Sequence, residues 1–160
     1  FSKSLASSGG YIAGKHDVIE YIRHHSRPYI FNAAIPPSNT AAALAALKIL
    51  KREPERVKRL HDLGNYVRQG LLKRGLEIRE SITPIVPIYT YTPVRTMVAC
   101  NVLFQNGVYV NPVIPPATKH GECLIRTSYM ATHTEELLDQ AMDTIVAVLT
   151  KLPSEEELVK

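Results

Sequence analysis

Lys3 and Arg126 are the two residues whose type and setting could support chemistry. Lys3 lies in a stretch rich in serine, glycine and alanine, residues 1–14. Small side chains let a flat ligand approach the backbone closely, and a lysine held against such a wall can lose its hydration. Desolvation lowers the pKa of a lysine and makes the free amine available for Schiff-base chemistry. Lys3 is therefore a candidate nucleophile, although most lysines are solvated surface residues.

Arg126 interrupts an apolar run, residues 123–125, inside a predicted strand. A buried cation without a partner would be costly. Arg126 therefore either faces solvent on the polar side of an edge strand, or faces a cleft in which its planar guanidinium can bind a carboxylate. The pattern alone favours neither interpretation.

The six histidines and two cysteines form no metal-binding pattern. His24 and His25 are neighbours on a predicted helix and point in different directions. Cys100 and Cys123 are far apart and form no CxxC pair, which argues against both a zinc site and a disulfide framework. We therefore predict no metal site, and two free thiols that suit a reducing cytoplasm.

The first part of the chain must position the lysine. A turn at residues 7–10 leads into a predicted short strand at 11–13. Apolar residues then recur at helical spacing from His16, and the pattern ends before Pro28, which predicts a short amphipathic helix. The alanine-rich segment 41–51 is a strong helix former, and its small side chains predict close packing.

The second part of the chain must position the arginine. Pro54 fits the first turn of a helix that ends at Gly75. We then predict strands at 76–78, 85–91, 108–113 and 123–129, a helix at 93–106 closed by Gly107, and a terminal helix that runs from a capping box at residues 132–135 to Leu149. The order β, β, α, β, β, α predicts an α+β unit with helices on one face of a mixed or antiparallel sheet.

The composition is that of an ordinary globular protein, with 45% hydrophobic and 21% charged residues. The formal net charge of +4 is spread along the chain, so it predicts a solvated surface and no nucleic-acid partner. No stretch approaches the roughly 18 apolar residues that a membrane-spanning helix needs, and we expect no stable membrane insertion. The chain begins at Phe1 in the middle of a motif, and we expect it to be a piece of a longer protein.

Four segments form ordered motifs: FSKSLASSGGYIAG at 1–14, RPYIFN at 27–32 followed by Pro36-Pro37, GVYVNPVIPPAT at 107–118, and LIRTSYMATHT at 124–134. Together they resemble the α-oxoamine synthase family of fold-type I pyridoxal phosphate (PLP) enzymes. That family includes 8-amino-7-oxononanoate synthase, 2-amino-3-ketobutyrate CoA ligase, 5-aminolevulinate synthase and serine palmitoyltransferase. The resemblance covers nearly the whole chain, and four ordered motifs are far more specific than one.

The resemblance implies an α/β fold in which this chain is the C-terminal portion of the enzyme. Residues 1–45 would close the large PLP-binding domain, residues 46–75 would form a linking helix, and residues 76–160 would form a small C-terminal α/β domain with helices on one face of a mostly antiparallel sheet. It also implies a cytoplasmic homodimer with active sites at the subunit interface. The implied reaction condenses an amino acid with an acyl-CoA.

Three residues take roles from the resemblance. Lys3 would hold PLP and then act as the base that removes the α-proton of the amino acid. Arg126 would bind the amino-acid carboxylate, which favours the cleft-facing interpretation. Asn32 stands where several relatives place a serine that reaches the PLP phosphate of the neighbouring subunit, and its amide can still donate a hydrogen bond. Ile114 stands where some soluble serine palmitoyltransferases carry an arginine.

The alternative from a different class is a non-catalytic interaction subunit, or an inactive proteolytic fragment of such an enzyme. The residues that would stack on the pyridine ring, pair with its nitrogen and form most of the phosphate cradle are expected upstream of Phe1. We therefore expect the 160-residue chain alone to bind PLP poorly and to be inactive. A generic basic binding module is a third interpretation, which rests on net charge alone.

Overall fold

The computed structural model describes residues 1–153, and the chain divides into two compact units, Phe1–Pro54 and Glu55–Lys160. The first unit contains α1 (His16–His25), α2 (Arg27–Phe31) and α3 (Pro37–Arg52). The second contains α4 (Glu55–Lys73), β1 (Val86–Tyr91), α5 (Pro93–Gln105), β2 (Asn111–Val113), β3 (Cys123–Thr127) and α6 (Glu135–Lys151). Across residues 1–153, no helix combines the length and apolar composition needed to cross a lipid bilayer.

The helices of the second unit begin and end at the residues that local chemistry favours. Gly75 and Gly107 follow α4 and α5 with φ of +81°, a conformation that costs glycine little. Thr92 precedes Pro93, and its hydroxyl accepts a hydrogen bond from the Arg95 amide at 3.4 Å. Both glycine stops were predicted from the sequence, and both are confirmed.

The sheet of the second unit has three strands in the order β1-β3-β2, and both pairs are antiparallel. Side chains alternate between its two faces along β1, where Val86, Ile88 and Thr90 are buried. Helix α5 contacts all three strands, and α4 contacts β1. The predicted arrangement of helices on one face of an antiparallel sheet is confirmed.

A single core lies between the sheet and the three helices of the second unit. Its buried members are Leu63, Val67, Leu71, Val86, Ile88, Ala99, Leu103, Val110, Ile125, Leu138, Met142, Ile145 and Leu149. The α4 residues recur at intervals of four, which is the spacing of one helix face. Within residues 55–153, no helix covers the opposite face of the sheet.

Several predicted strands differ from the structure. Residues 11–13 form no strand in this structure, and the strand predicted at 76–78 is reduced to one bridge between Ile78 and Ile88. The strands predicted at 85–91, 108–113 and 123–129 are each shorter at one end, at Val86–Tyr91, Asn111–Val113 and Cys123–Thr127. A strand requires a hydrogen-bonding partner, and a local apolar pattern does not supply one.

The cap of α6 also differs from the prediction. The capping residue is Thr134, whose hydroxyl accepts a hydrogen bond from the Leu137 amide at 3.3 Å, and not Thr132. The segment before the helix is tied down elsewhere, because Arg59 of α4 donates hydrogen bonds to the carbonyls of Ala131 and His133 at 2.9 and 3.1 Å. These hydrogen bonds hold residues 131–133 outside the helix, and α6 therefore begins two residues later than predicted.

The chain divides into its two units after Pro54, whereas the domain boundaries implied by the resemblance lie at 45 and 75. The predicted linking helix at 46–75 covers the end of α3 and all of α4, with Pro54 at the break between the two units. Helix α4 packs against α6 inside the second unit. The last seven residues of the predicted C-terminal domain, 154–160, lie outside the described part of the chain. How these units correspond to domains of a larger enzyme stays a prediction.

Candidate functional site

Lys3 begins a tight turn in the first unit. The Ala6 amide donates to the Lys3 carbonyl at 2.9 Å, and Ala6 has a φ of +49°, which non-glycine residues seldom adopt. The Ser7 hydroxyl donates to the Asn39 carbonyl at 2.7 Å and so ties the turn to α3. The turn that contains Lys3 is therefore held to α3 by a hydrogen bond.

The Lys3 side chain is exposed. Its desolvation, which the small neighbouring residues would allow, stays a prediction. Beside the turn lies an open depression of about 460 Å³, lined by Ser2, Ala6, Ser7, Ser8, Ser38, Asn39 and Ala42. The first unit thus places a primary amine close in sequence to several hydroxyl groups, a combination that can react with a carbonyl and donate hydrogen bonds to an anion.

Asn32 lies directly after α2 and is exposed. Its backbone is extended, with φ of −96° and ψ of 148°. The neighbouring Tyr29, Ile30 and Phe31 are also exposed, at 61, 52 and 80%. The first unit therefore presents Asn32 at the end of an apolar surface, and its contact with a phosphate stays a prediction.

Arg126 lies on β3, which is the central strand of the sheet. The interpretation that placed it on an edge strand is wrong. The side chain is exposed because it points away from the helices, whereas its neighbours Ile125 and Thr127 are buried on the helical side. Among residues 1–153, Arg126 forms no salt bridge, so its guanidinium has no anionic partner within the described part of the chain.

The open face of the sheet brings polar and aromatic groups close to Arg126. Pro87 of β1 and Asn111 of β2 lie directly opposite it in the two ladders. The Arg126 Nη2 donates to the Asn111 Oδ1 at 3.4 Å. Tyr89, on the same face, stacks on Tyr91 with ring centroids 5.5 Å apart. The arrangement can bind an anion on a surface bordered by aromatic rings.

Tyr91 closes one end of this face. It has a φ of +71° and follows an irregularity in the pairing of β1 with β3. Its hydroxyl donates to the carboxylate of Glu77, and this bond raises the pKa of Tyr91 to about 12. The Glu77 carboxylate therefore accepts a hydrogen bond from a neutral phenol.

A separate cavity of about 200 Å³ lies on the helical side of the sheet. Its apolar wall comes from the core of α4 and α6, and its polar groups include Tyr129 and His133. The Tyr129 hydroxyl lies 2.6 Å from the Thr127 Oγ1. Burial raises the pKa of Tyr129 to about 12. The phenol is thus neutral at physiological pH and has a hydrogen-bonding partner, as a core residue would.

The loop between β2 and β3 contains the cis peptide bond Pro115–Pro116. The Ala117 amide donates to the Ile114 carbonyl at 3.0 Å. The Thr118 Oγ1 is buried without a hydrogen-bonding partner. In residues 1–153, no group of three or more histidine, cysteine or carboxylate side chains could hold a metal ion.

Of the three predicted site residues, Lys3 and Asn32 lie in the first unit and Arg126 in the second. The structure adds Asn111, which the sequence analysis did not single out. A lone asparagine in a short predicted strand carries no signal of its own, and only the strand pairing places it opposite Arg126. Tyr109 was missed for the same reason, although its hydroxyl accepts a hydrogen bond from Asn111 at 3.3 Å.

Comparison with known proteins gives consistent matches. A family model described as aminotransferase class I and II matches residues 1–145. The chain is 43% identical over 152 residues to a serine palmitoyltransferase from Bacteroides thetaiotaomicron, which covers 95% of this chain and 39% of that protein. It is 38% identical over 151 residues to an 8-amino-7-oxononanoate synthase from Thermosipho melanesiensis, with coverages of 94 and 39%.

Solved structures agree with the sequence matches. A high-resolution structure of SPT with a PLP internal aldimine superposes with a TM-score of 0.86 at 30% identity, over 95% of this chain and 39% of that one. A serine palmitoyltransferase from Sphingomonas wittichii superposes with a TM-score of 0.84 at 28% identity, over 96 and 40%. The chain therefore spans about two fifths of the length of the curated relatives and solved structures that it matches.

Proposed function

Because the chain belongs to the aminotransferase class I and II family, we propose that it is the C-terminal portion of a PLP-dependent enzyme that condenses an amino acid with an acyl-CoA. The observation that carries the proposal is the exposed guanidinium of Arg126, which has no salt-bridge partner in residues 1–153. It lies in a chain whose relatives are named serine palmitoyltransferase and 8-amino-7-oxononanoate synthase.

The residues of the first unit fit PLP. Lys3 provides an exposed primary amine for the aldehyde of the cofactor, and the hydroxyls of Ser2 and Ser8 are available as donors to its phosphate. Asn32 would donate to the phosphate of a second subunit through its amide. The bound cofactor supplies an electron sink for the charge that develops when a bond at the α-carbon breaks.

The remaining steps are assigned to side chains of this chain. Arg126 binds the carboxylate of the amino acid through its planar fork of N–H donors. The Lys3 Nζ removes the proton from the α-carbon, because a free lysine amine can act as a general base. The α-carbon then bonds to the carbonyl carbon of the acyl thioester, and the CoA thiolate leaves. Residues 1–45 would belong to the cofactor domain, 46–75 to a linking helix and 76–160 to the small domain.

We further propose that the enzyme is a cytoplasmic homodimer. The exposed apolar residues beside Asn32, namely Tyr29, Ile30 and Phe31, support a protein contact at this surface. Cys100 and Cys123 are both free thiols, which suits a reducing compartment. Sedimentation of the full-length protein with and without PLP tests the oligomeric state directly.

Replacing the lysine tests the cofactor assignment. Lys3→Ala in the full-length protein should abolish both the visible absorption of PLP bound covalently to this lysine and turnover with glycine, alanine or serine and an acyl-CoA. Lys15→Ala is the matched control, because Lys15 is also an exposed lysine of the first unit. Normal absorption and turnover in Lys3→Ala would refute the assignment, and a wild-type protein that takes up no PLP would favour a non-catalytic subunit.

Replacing the arginine tests the carboxylate assignment. Arg126→Ala should raise the Kd of the amino acid by about tenfold to a hundredfold, since hydrogen bonds to charged groups contribute about 1.5–3 kcal/mol. Arg79→Ala is the control, because Arg79 is an exposed arginine of the same unit. Equal effects of the two substitutions would contradict a specific role for Arg126.

A further inference from the structure

The two strands that flank Arg126 offer it different partners. Pro87 of β1 and Asn111 of β2 are the residues directly opposite Arg126. The proline ring has no hydrogen-bonding group, whereas the asparagine amide has both an acceptor and a donor. Of the two residues directly opposite Arg126, therefore, only Asn111 can orient the guanidinium by a side-chain hydrogen bond.

Within residues 1–153, the Asn111 side chain makes two hydrogen bonds, and the bond to Arg126 fixes the orientation of its amide. The Oδ1 accepts from the Arg126 Nη2 at 3.4 Å, and the Nδ2 donates to the Tyr109 hydroxyl at 3.3 Å. A guanidinium can only donate, so it must meet the oxygen of the amide. The Tyr109 hydroxyl therefore binds the other end of the amide, and the three side chains form a chain of hydrogen bonds.

The partner of Arg126 is neutral, and this matters for an anion-binding arginine. An aspartate at the same position would form an ion pair and compete with an incoming carboxylate. A neutral amide orients the guanidinium and leaves its charge available. Within residues 1–153, Arg126 has no salt bridge that would provide such competition.

We propose that Asn111 is the positioning residue of Arg126, and that it directs the free N–H groups of the guanidinium towards the substrate carboxylate without neutralising their charge. This inference rests on the proposed role of Arg126 in binding an amino acid. It adds a requirement that the proposed function does not contain, namely that residue 111 must accept a hydrogen bond and be uncharged.

The test uses the full-length PLP-bound protein and two substitutions, Asn111→Ala and Asn111→Asp. The probes are glycine, alanine and serine, each compared with its carboxylate-free counterpart: methylamine, ethylamine and ethanolamine. Their Kd values are read from the change in the visible absorption of the cofactor. Asn101→Asp is the control for added negative charge, because Asn101 is an exposed residue of α5.

Asn111→Ala should raise the Kd of the amino acids about threefold to tenfold, the value of one ordinary hydrogen bond. Asn111→Asp should raise it further, although aspartate is closest to asparagine in shape. The Kd values of the three amines should change less than twofold in either variant, and Asn101→Asp should change neither class of ligand.

Two results would overturn the inference: amino-acid binding in Asn111→Asp that is as strong as in the wild type or in Asn111→Ala, or an equal weakening of the amines. Arg126→Ala separates this failure from failure of the proposed function. If Arg126→Ala weakens amino acids selectively and the Asn111 variants do not, only the positioning role of Asn111 fails. If Arg126→Ala does not discriminate between amino acids and amines, the carboxylate assignment fails as well.

Discussion

Two glycines of α4, Gly64 and Gly70, pack closely against other residues, and alanine at each position tests whether the neighbouring residue can move. A Cβ atom added at Gly64 would lie 2.7 Å from the Cα and 3.2 Å from the carbonyl oxygen of Pro84. A Cβ added at Gly70 would lie 2.5 and 2.8 Å from the Sδ and Cε of Met142. The first neighbour is backbone, whereas the second is the end of a flexible side chain that can adopt another rotamer.

The expected magnitudes follow from two opposing terms. Glycine to alanine inside a helix gains about 1 kcal/mol of helix propensity at either position. Overpacking against a rigid neighbour costs about 1–3 kcal/mol, and a flexible neighbour reduces that cost. Because the propensity term is common to both, Gly64→Ala should have a free energy of unfolding about 1–3 kcal/mol lower than that of Gly70→Ala.

Urea unfolding of the two variants, followed by circular dichroism, measures this difference as a change in the transition midpoint at constant slope. The wild-type protein fixes the sign of each effect, and Gly70→Ala is expected to be close to it. Equal midpoints for the two variants, or a higher midpoint for Gly64→Ala, would refute the argument that the Pro84 backbone cannot move away.

Three further predictions follow from the second unit. Arg95→Ala should lower the free energy of unfolding by about 1–3 kcal/mol, since this guanidinium donates to the carbonyls that end α6 at 2.8–3.1 Å; urea unfolding measures it. Burial raises the pKa of the Cys100 thiol from 9.0 to about 11, so its reaction with a disulfide reagent at pH 8 should be about a hundredfold slower in the folded protein than in urea. The pKa of Tyr129, raised by burial to about 12, lies above its unfolded value of about 10. Its contribution to stability is therefore full below pH 10 and should be lost as the pH rises through 12, and Tyr129→Phe should flatten that part of the stability profile.

The sequence predicted the helices of the second unit well because each carries its own signals. Gly75 and Gly107 both adopt the positive φ that ends a helix, and apolar residues recur along one side of α4 and α6. These signals act within a few residues of one another. They need no knowledge of the rest of the fold.

The order of the strands could not be predicted in this way. The pattern around Arg126 suggested either an edge strand or a cleft, because a single charged residue in an apolar run fits both. The structure gives a different reason for its exposure, since β3 is central and no helix of the described part of the chain covers that face of the sheet. Pairing between segments that are distant in sequence decides this, and no local pattern contains it.

The apolar core lies in the second unit, whereas two of the three proposed site residues lie in the first. The second unit has a contiguous core, whereas Ala43 is the one buried residue in 1–54, a range that the structure describes completely. Burial of apolar surface offsets the entropy cost of ordering a chain. The first unit therefore gains less stabilisation from its own core than the second. Yet Lys3 and Asn32 lie there, and Arg126 lies on the uncovered face of the second unit. A side chain that must meet a ligand cannot also be enclosed by the core that positions it. The surfaces that this chain leaves exposed are therefore the surfaces on which its proposed chemistry depends.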